Sequence, residues 1–226
     1  MTYFRTLWAD ARRVLAEKPD LLVIAGTAAL AFVLEHYLSL PRGIAPAARG
    51  AAAMLLRSVI YLALPLLSLL VLRVRPSAVG FGFGRAGTWL RDIGLLYAFM
   101  LPIVFIASRQ PAFLRVYPYF DFARASVGGF LLAQLVRLVG MFAWEFIFRG
   151  YLLFGFERKL GAAAAIAVQT IPFVILHFGK PLPETLGSIV AGVALGIVAI
   201  RARSFIPCAI LHFSVAATLD LFAVIG

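Results

Sequence analysis

The sequence predicts an all-α, polytopic transmembrane helical bundle of about seven spans, preceded by an interfacial amphipathic helix. Three observations carry this. Of 226 residues, 63% are hydrophobic and the mean hydropathy is +0.98, more apolar surface than a soluble domain of this size buries. Charged residues make up 14% and cluster between long apolar runs. Gly and Pro fall mainly at the ends of those runs, where helices break.

Residues 1–20 place Arg5, Arg12, Arg13 and Lys18 among Phe4, Leu7, Trp8, Val14 and Leu15, the spacing of a helix lying on a membrane surface. This segment is mixed and charged, unlike a cleavable signal peptide. Leu21 to Leu40 is the first span, with Glu35, His36 and Tyr37 near its far end, and His36 reads as interfacial. The second runs from about Ala51 to Leu72, with Arg57 inside its start and long enough to snorkel. A basic, glycine-rich loop follows to Asp92. Ile93 to Ser108 is a short third span, and Arg109 to Ala125 is an aromatic, proline-containing interfacial loop.

Val127 to Phe156 is the fourth span, long enough to tilt or protrude. Ala162 to Leu176 is the fifth, closing on His177. Glu184 opens the sixth, which reaches Ile200; Gly187, Ala191, Gly192 and Gly196 give it small faces for close helix packing. Phe205 to Ile225 is the last, carrying His212 and Asp220. The whole chain, 1–226, reads as one integral membrane domain.

With a cytoplasmic N-terminus, twelve Lys and Arg fall on inner segments and six on outer ones. That excess favours this orientation in a cytoplasmic (inner) membrane. The net charge of +11 does not point to nucleic acid, because the basic residues flank apolar spans and suit anionic head groups of the lipid bilayer. The single Cys208 excludes an intrachain disulfide and a cysteine metal cluster, and reads as a small packing residue.

The costly residues are those inside the spans. In Trp144-Glu145-Phe146-Ile147-Phe148-Arg149-Gly150, a carboxylate and a guanidinium stand four residues apart on one helix face. Each alone in hydrocarbon costs several kcal/mol, so such residues pair, face a polar cavity or do chemistry. His212, about 10 Å into the last span at 1.5 Å per residue, also needs a polar partner. Two His and one Glu from three spans can activate a water, with Glu145 and one His taking its proton and the other His steadying the oxyanion. They can equally bind zinc as His177, His212 and Glu145; the spacing leaves both open. Glu184 suits a helix start. Arg137, two turns before Glu145, is placed on the same polar face, and Asp220 is placed to orient His212 or to reach the interface.

Glu145 to Arg149 with Gly150, then Phe173-x-x-x-His177, then His212 in a final span, resemble the CAAX-protease and bacteriocin-processing (CPBP, or Abi) intramembrane proteases. The family pattern is Glu-Glu-x-x-x-Arg, Phe-x-x-x-His and His-x-x-x-Asn or Asp. The resemblance covers roughly Val127 to Ile225 and implies a protease-like core over 127–226. It implies hydrolysis of a peptide or membrane-protein substrate by a water that Glu and His activate, with no cofactor expected, although zinc is possible. It implies Glu145 as base, His177 as its partner, His212 as oxyanion or water-positioning group and Arg149 as counter-ion, with Arg137 and Glu184 in support.

Two positions depart from the pattern. Trp144 stands where the family has its first Glu, usually credited as the base, and Ala216 stands four after His212. Ser214, Thr218 or Glu184 are candidates to compensate. These departures keep open a non-enzymatic alternative, a membrane scaffold or immunity partner. A proton-relay transporter is a third class, disfavoured by a small bundle without an evident inverted repeat. The span order also sets His177 near the outer end of its helix, Glu145 at mid-depth and His212 nearer the cytoplasm. A tilted fifth helix or an inward Pro181/Pro183 loop would have to close that gap.

Overall fold

In the computed structural model, residues 2–226 are described, although nothing is said of the side chains of Thr2, Arg13, Val14 and Leu15. The expectations for Met1, Arg13, Val14 and Leu15 in the amphipathic helix lie outside the described residues. The described residues form helices α1 (Thr2–Glu17), α2 (Pro19–Tyr37), α3 (Pro46–Val71), α4 (Ala86–Ala107) and a single turn α5 (Pro111–Leu114). These are followed by α6 (Val127–Glu145), α7 (Leu153–Leu160), α8 (Ala162–Ile175), α9 (Leu182–Ala202) and α10 (Ile206–Ile225). A π-helical segment, Phe146–Leu152, joins α6 to α7 without a break, so the fourth apolar run is one continuous rod from Val127 to Leu160.

Among the described residues, six helical runs are long and apolar enough to cross a membrane: α2, α3, α4, the α6–α7 rod, α9 and α10. This is a multi-pass membrane protein. The expected fifth span, α8, is shorter than these: it has 14 residues, about 21 Å at 1.5 Å per residue, against a hydrocarbon core of ~30 Å. Pro172 lies within α8, and the helix ends at Ile175 in a turn. On α1, Phe4, Leu7 and Trp8 are exposed, with the Arg12 guanidinium 5.2 Å from the Trp8 ring. The bundle leaves this apolar face uncovered, as an interfacial helix requires.

The small face predicted on α9 serves close packing. A Cβ on Gly192 would come within 2.6 Å of Thr170, and one on Gly196 within 3.0 Å of Ile166. The approach lets Gln169 Nε2 donate to the Gly192 carbonyl at 2.8 Å. No such role falls to Gly187, which faces open space. Cys208 is fully buried, its thiol 3.2 Å from the Leu195 carbonyl.

Phe146, Phe148, Phe173, Phe205, Tyr61 and Trp144 make the centre of the core aromatic. Two hairpins set its levels. Gly161, at φ +79°, turns α7 into α8; Glu145 stands 16 residues before it and His177 16 after it, so the two come level. At the same end Arg203 meets both oxygens of Glu157 at 2.8 Å, pinning the end of α9 to α7. That places His212, nine residues beyond Arg203, toward the same depth.

Candidate functional site

Glu145 is the last α-helical residue before the π segment, and its side chain is fully buried. Widened π turns rotate the following side chains and often mark functional positions. Arg149, also fully buried, lies on the same face: its Nη1 donates to Glu145 Oε1 at 3.1 Å and is 3.1 Å from Oε2. The Arg149 guanidinium stacks 3.9 Å above the Phe173 ring and its Nη2 reaches the Ala191 carbonyl at 3.5 Å. From α10, His212 Nδ1 donates to Glu145 Oε1 at 2.6 Å. Glu145 therefore sits between a guanidinium and an imidazole in an apolar shell.

His177 joins them from beyond the end of α8. Its Nδ1 lies 2.7 Å from the Phe173 carbonyl. A carbonyl only accepts, so Nδ1 carries the hydrogen and Nε2 keeps a lone pair. Burial pushes the imidazole down to about 4, so the ring is neutral near pH 7. Phe173 is the shared spacer, its ring 4.5 Å from that of His177 and 6.2 Å from that of His212. The depth gap expected from span order is closed by the Gly161 hairpin, with no inward fold of the Pro181–Pro183 loop needed.

Trp144 forms the adjoining wall. Its ring is 5.8 Å from His177, 5.9 Å from Tyr61, 5.1 Å from Phe148 and 6.0 Å from Phe173. Its Nε1–H is buried and has no partner. Behind it the Arg57 guanidinium lies 5.9 Å from the ring and pairs with Glu35 at 2.6 Å, while the Tyr61 hydroxyl donates to the same carboxylate. Arg57 thus pairs within the protein instead of snorkelling. This Glu35–Arg57–Tyr61 group was not foreseen. The signal for it was two opposite charges, each within a predicted span.

Arg137 does not join the Glu145 face and Asp220 neither meets His212 nor reaches the interface, which corrects the expectation for both. They pair with each other at 3.2 Å, and Asp220 also accepts from Tyr119 N at 2.9 Å and Gln134 Nε2 at 3.2 Å. Asp220 therefore does not orient His212; helix phase carries it toward α6 and the aromatic loop. Glu184 does open α9, but it accepts from the Tyr117 hydroxyl at 2.6 Å, with Lys180 3.9 Å away, and has no contact with His212. Nor does Thr218 replace the missing residue: its Oγ1 donates to the Ser214 carbonyl and meets the Tyr97 hydroxyl. Burial pulls Lys180 down to about 8 and pushes the Tyr117 phenol well up.

Glu145 Oε1 and His212 Nδ1 are in direct contact at 2.6 Å, and the Arg149 cation occupies the same carboxylate. Among the described residues no group of three His, Cys, Asp or Glu is placed to hold an ion.

A polytopic bundle with a buried Glu–Arg–His cluster and a second His at its centre defines a membrane protein with an interior polar site. Residues 122–218 match the family model described as Type II CAAX prenyl endopeptidase Rce1-like, so the resemblance to the CPBP proteases holds over the segment that carries Glu145, His177 and His212. That family is one of CAAX-type intramembrane endopeptidases, and its activity is in general proteolysis of peptide or protein substrates. No curated protein and no solved structure matches the chain.

Proposed function

We propose that this protein is an intramembrane endopeptidase in which a Glu145–His212 pair activates a water for attack on a peptide bond. The observation that supports it most is the 2.6 Å contact between the Glu145 carboxylate and His212 Nδ1 inside a water-poor shell. The sequence assigns direct proton abstraction to Glu145. The geometry favours a position behind His212: Glu145 holds the ring in one tautomer and is the counter-charge for the imidazolium that forms when Nε2 takes the water's proton; the imidazolium then gives that proton to the leaving amine as the C–N bond breaks. His177, neutral with a free Nε2 lone pair, accepts the water's second hydrogen and fixes its direction. The unpartnered Nε1–H of Trp144 donates to the carbonyl oxygen as charge develops on it. The residues of 127–226 form the catalytic core on this reading, and no metal takes part.

The family description makes a prenylated CAAX peptide the first substrate to try. The distribution of Lys and Arg supports a cytoplasmic-membrane location with the N-terminus inside.

A second reading rests on one observation. Trp144 fills the position of the family's first Glu and Ala216 that of its Asn or Asp, so the site lacks two polar groups. On that reading the protein binds its target in the membrane without cutting it. Reconstituted wild type, offered lipidated and unmodified apolar peptides, distinguishes the two: cleavage supports the enzyme, and saturable binding without product supports the receptor. If the enzyme reading holds, Trp144→Phe keeps the ring packing and loses one donor. The expected result is a fall in kcat of about 10²-fold or more with little change in KM. An unchanged kcat removes Trp144 from the proposed chemistry.

A further inference from the structure

We propose that Arg73, Arg75 and Arg158 form a binding site for the phosphodiester head group of an anionic lipid. With Val74, Ser77 and Ala78 they line a surface cavity of about 380 Å³. The three guanidinium groups come from two places, the segment after α3 and the last turn of α7. Among the described residues none of the three has a side-chain ion pair or hydrogen bond, although nearby cations do: Lys159 meets Asp20 at 3.4 Å and Arg203 meets Glu157 at 2.8 Å. Complementing a helix C-terminus accounts for one cation per helix end. It does not account for three that converge, unpaired, on one cavity.

The backbone adds an independent sign. Arg73 has φ +54°, the left-handed conformation that closes α3, with its N–H donating to the Leu70 carbonyl at 3.1 Å. Glycine is the usual occupant of such a position, and a bulky residue there is strained. Here the position carries an arginine whose side chain lines the cavity.

The level in the bilayer selects a lipid over free phosphate. The cavity lies where two membrane-crossing runs end, Pro46–Val71 and Val127–Leu160. Leu70 and Val71, immediately before Arg73, are 73% and 78% exposed. An acyl chain against these two side chains brings its phosphate to the arginines, whose forked donors suit phosphate oxygens.

The test uses the full chain in neutral detergent, with phosphatidylglycerol, phosphatidylcholine and inorganic phosphate as separate probes and the dissociation constant as the readout. The wild type is expected to bind phosphatidylglycerol at least about tenfold more tightly than phosphatidylcholine, and more weakly at high salt. Replacing Arg73, Arg75 and Arg158 by Gln should abolish that preference. Replacing Arg42, Arg49 and Arg115 by Gln, an equal loss of charge elsewhere, should leave it intact. Arg73→Gly should raise the thermal midpoint without lipid and still weaken phosphatidylglycerol binding, a combination that a purely structural arginine does not give. Equal binding of both lipids, equal losses in the two triple variants, or saturable binding of inorganic phosphate alone overturns the proposal. If the pocket triple variant does not fold, Arg73→Gly decides, and unchanged binding there overturns it.

Discussion

Glu145→Gln is expected to reduce peptide cleavage by about 10³- to 10⁴-fold in kcat, the size of loss seen when a buried carboxylate behind a catalytic imidazole is made neutral. The amide oxygen can still accept from His212 Nδ1, now 2.6 Å from Oε1. It no longer balances an imidazolium, and its NH₂ group faces Arg149 or His212 as a donor against a donor. The measurement is kcat and KM for wild type and variant on one peptide in proteoliposomes, with folding checked by thermal unfolding. A variant that cleaves at the wild-type rate shows that Glu145 serves the fold alone.

The second large effect concerns stability. Arg149→Met should destabilise the bundle by about 3–5 kcal/mol, because it leaves the fully buried Glu145 carboxylate without its counter-charge, held only by the hydrogen bond from His212. The double variant Glu145→Gln, Arg149→Met removes both charges and should recover most of that loss, since the cost lies in the orphaned partner. Unfolding in a denaturing detergent series, wild type against the single and double variants, checks it. A double variant less stable than Arg149→Met alone would mean that the pair's packing outweighs its charges. His212 remains in both, so the double variant also separates stability from chemistry: it should fold and not cleave.

Much of this was legible in the sequence, because hydrocarbon makes polar residues conspicuous. Glu145 and Arg149 announced their pairing by their i, i+4 spacing, and His212 required a partner by its depth. The level of His177 was legible too: equal distances from Gly161 place it beside Glu145. Arg137 and Asp220 were harder. Each stands eight residues from its presumed neighbour, Arg137 before Glu145 and Asp220 after His212, which overshoots two full turns by about 80° at 3.6 residues per turn; the two instead pair with each other, roofed by Tyr117 and Tyr119. The orphan N–H of Trp144 is beyond any pattern, since only packing shows which buried donors lack partners.

Hydrolysis of a peptide bond by wild-type protein with solvent water is the most direct test of the proposed chemistry. Reconstituted wild type and Glu145→Gln should be incubated in ¹⁸O-labelled water with a lipidated peptide panel and the products weighed by mass spectrometry. The expected result is a product whose new carboxylate carries one solvent oxygen, formed by wild type and strongly diminished in the variant. Intact peptides throughout, bound by both proteins alike, would contradict the account and leave the protein a membrane-embedded binding partner.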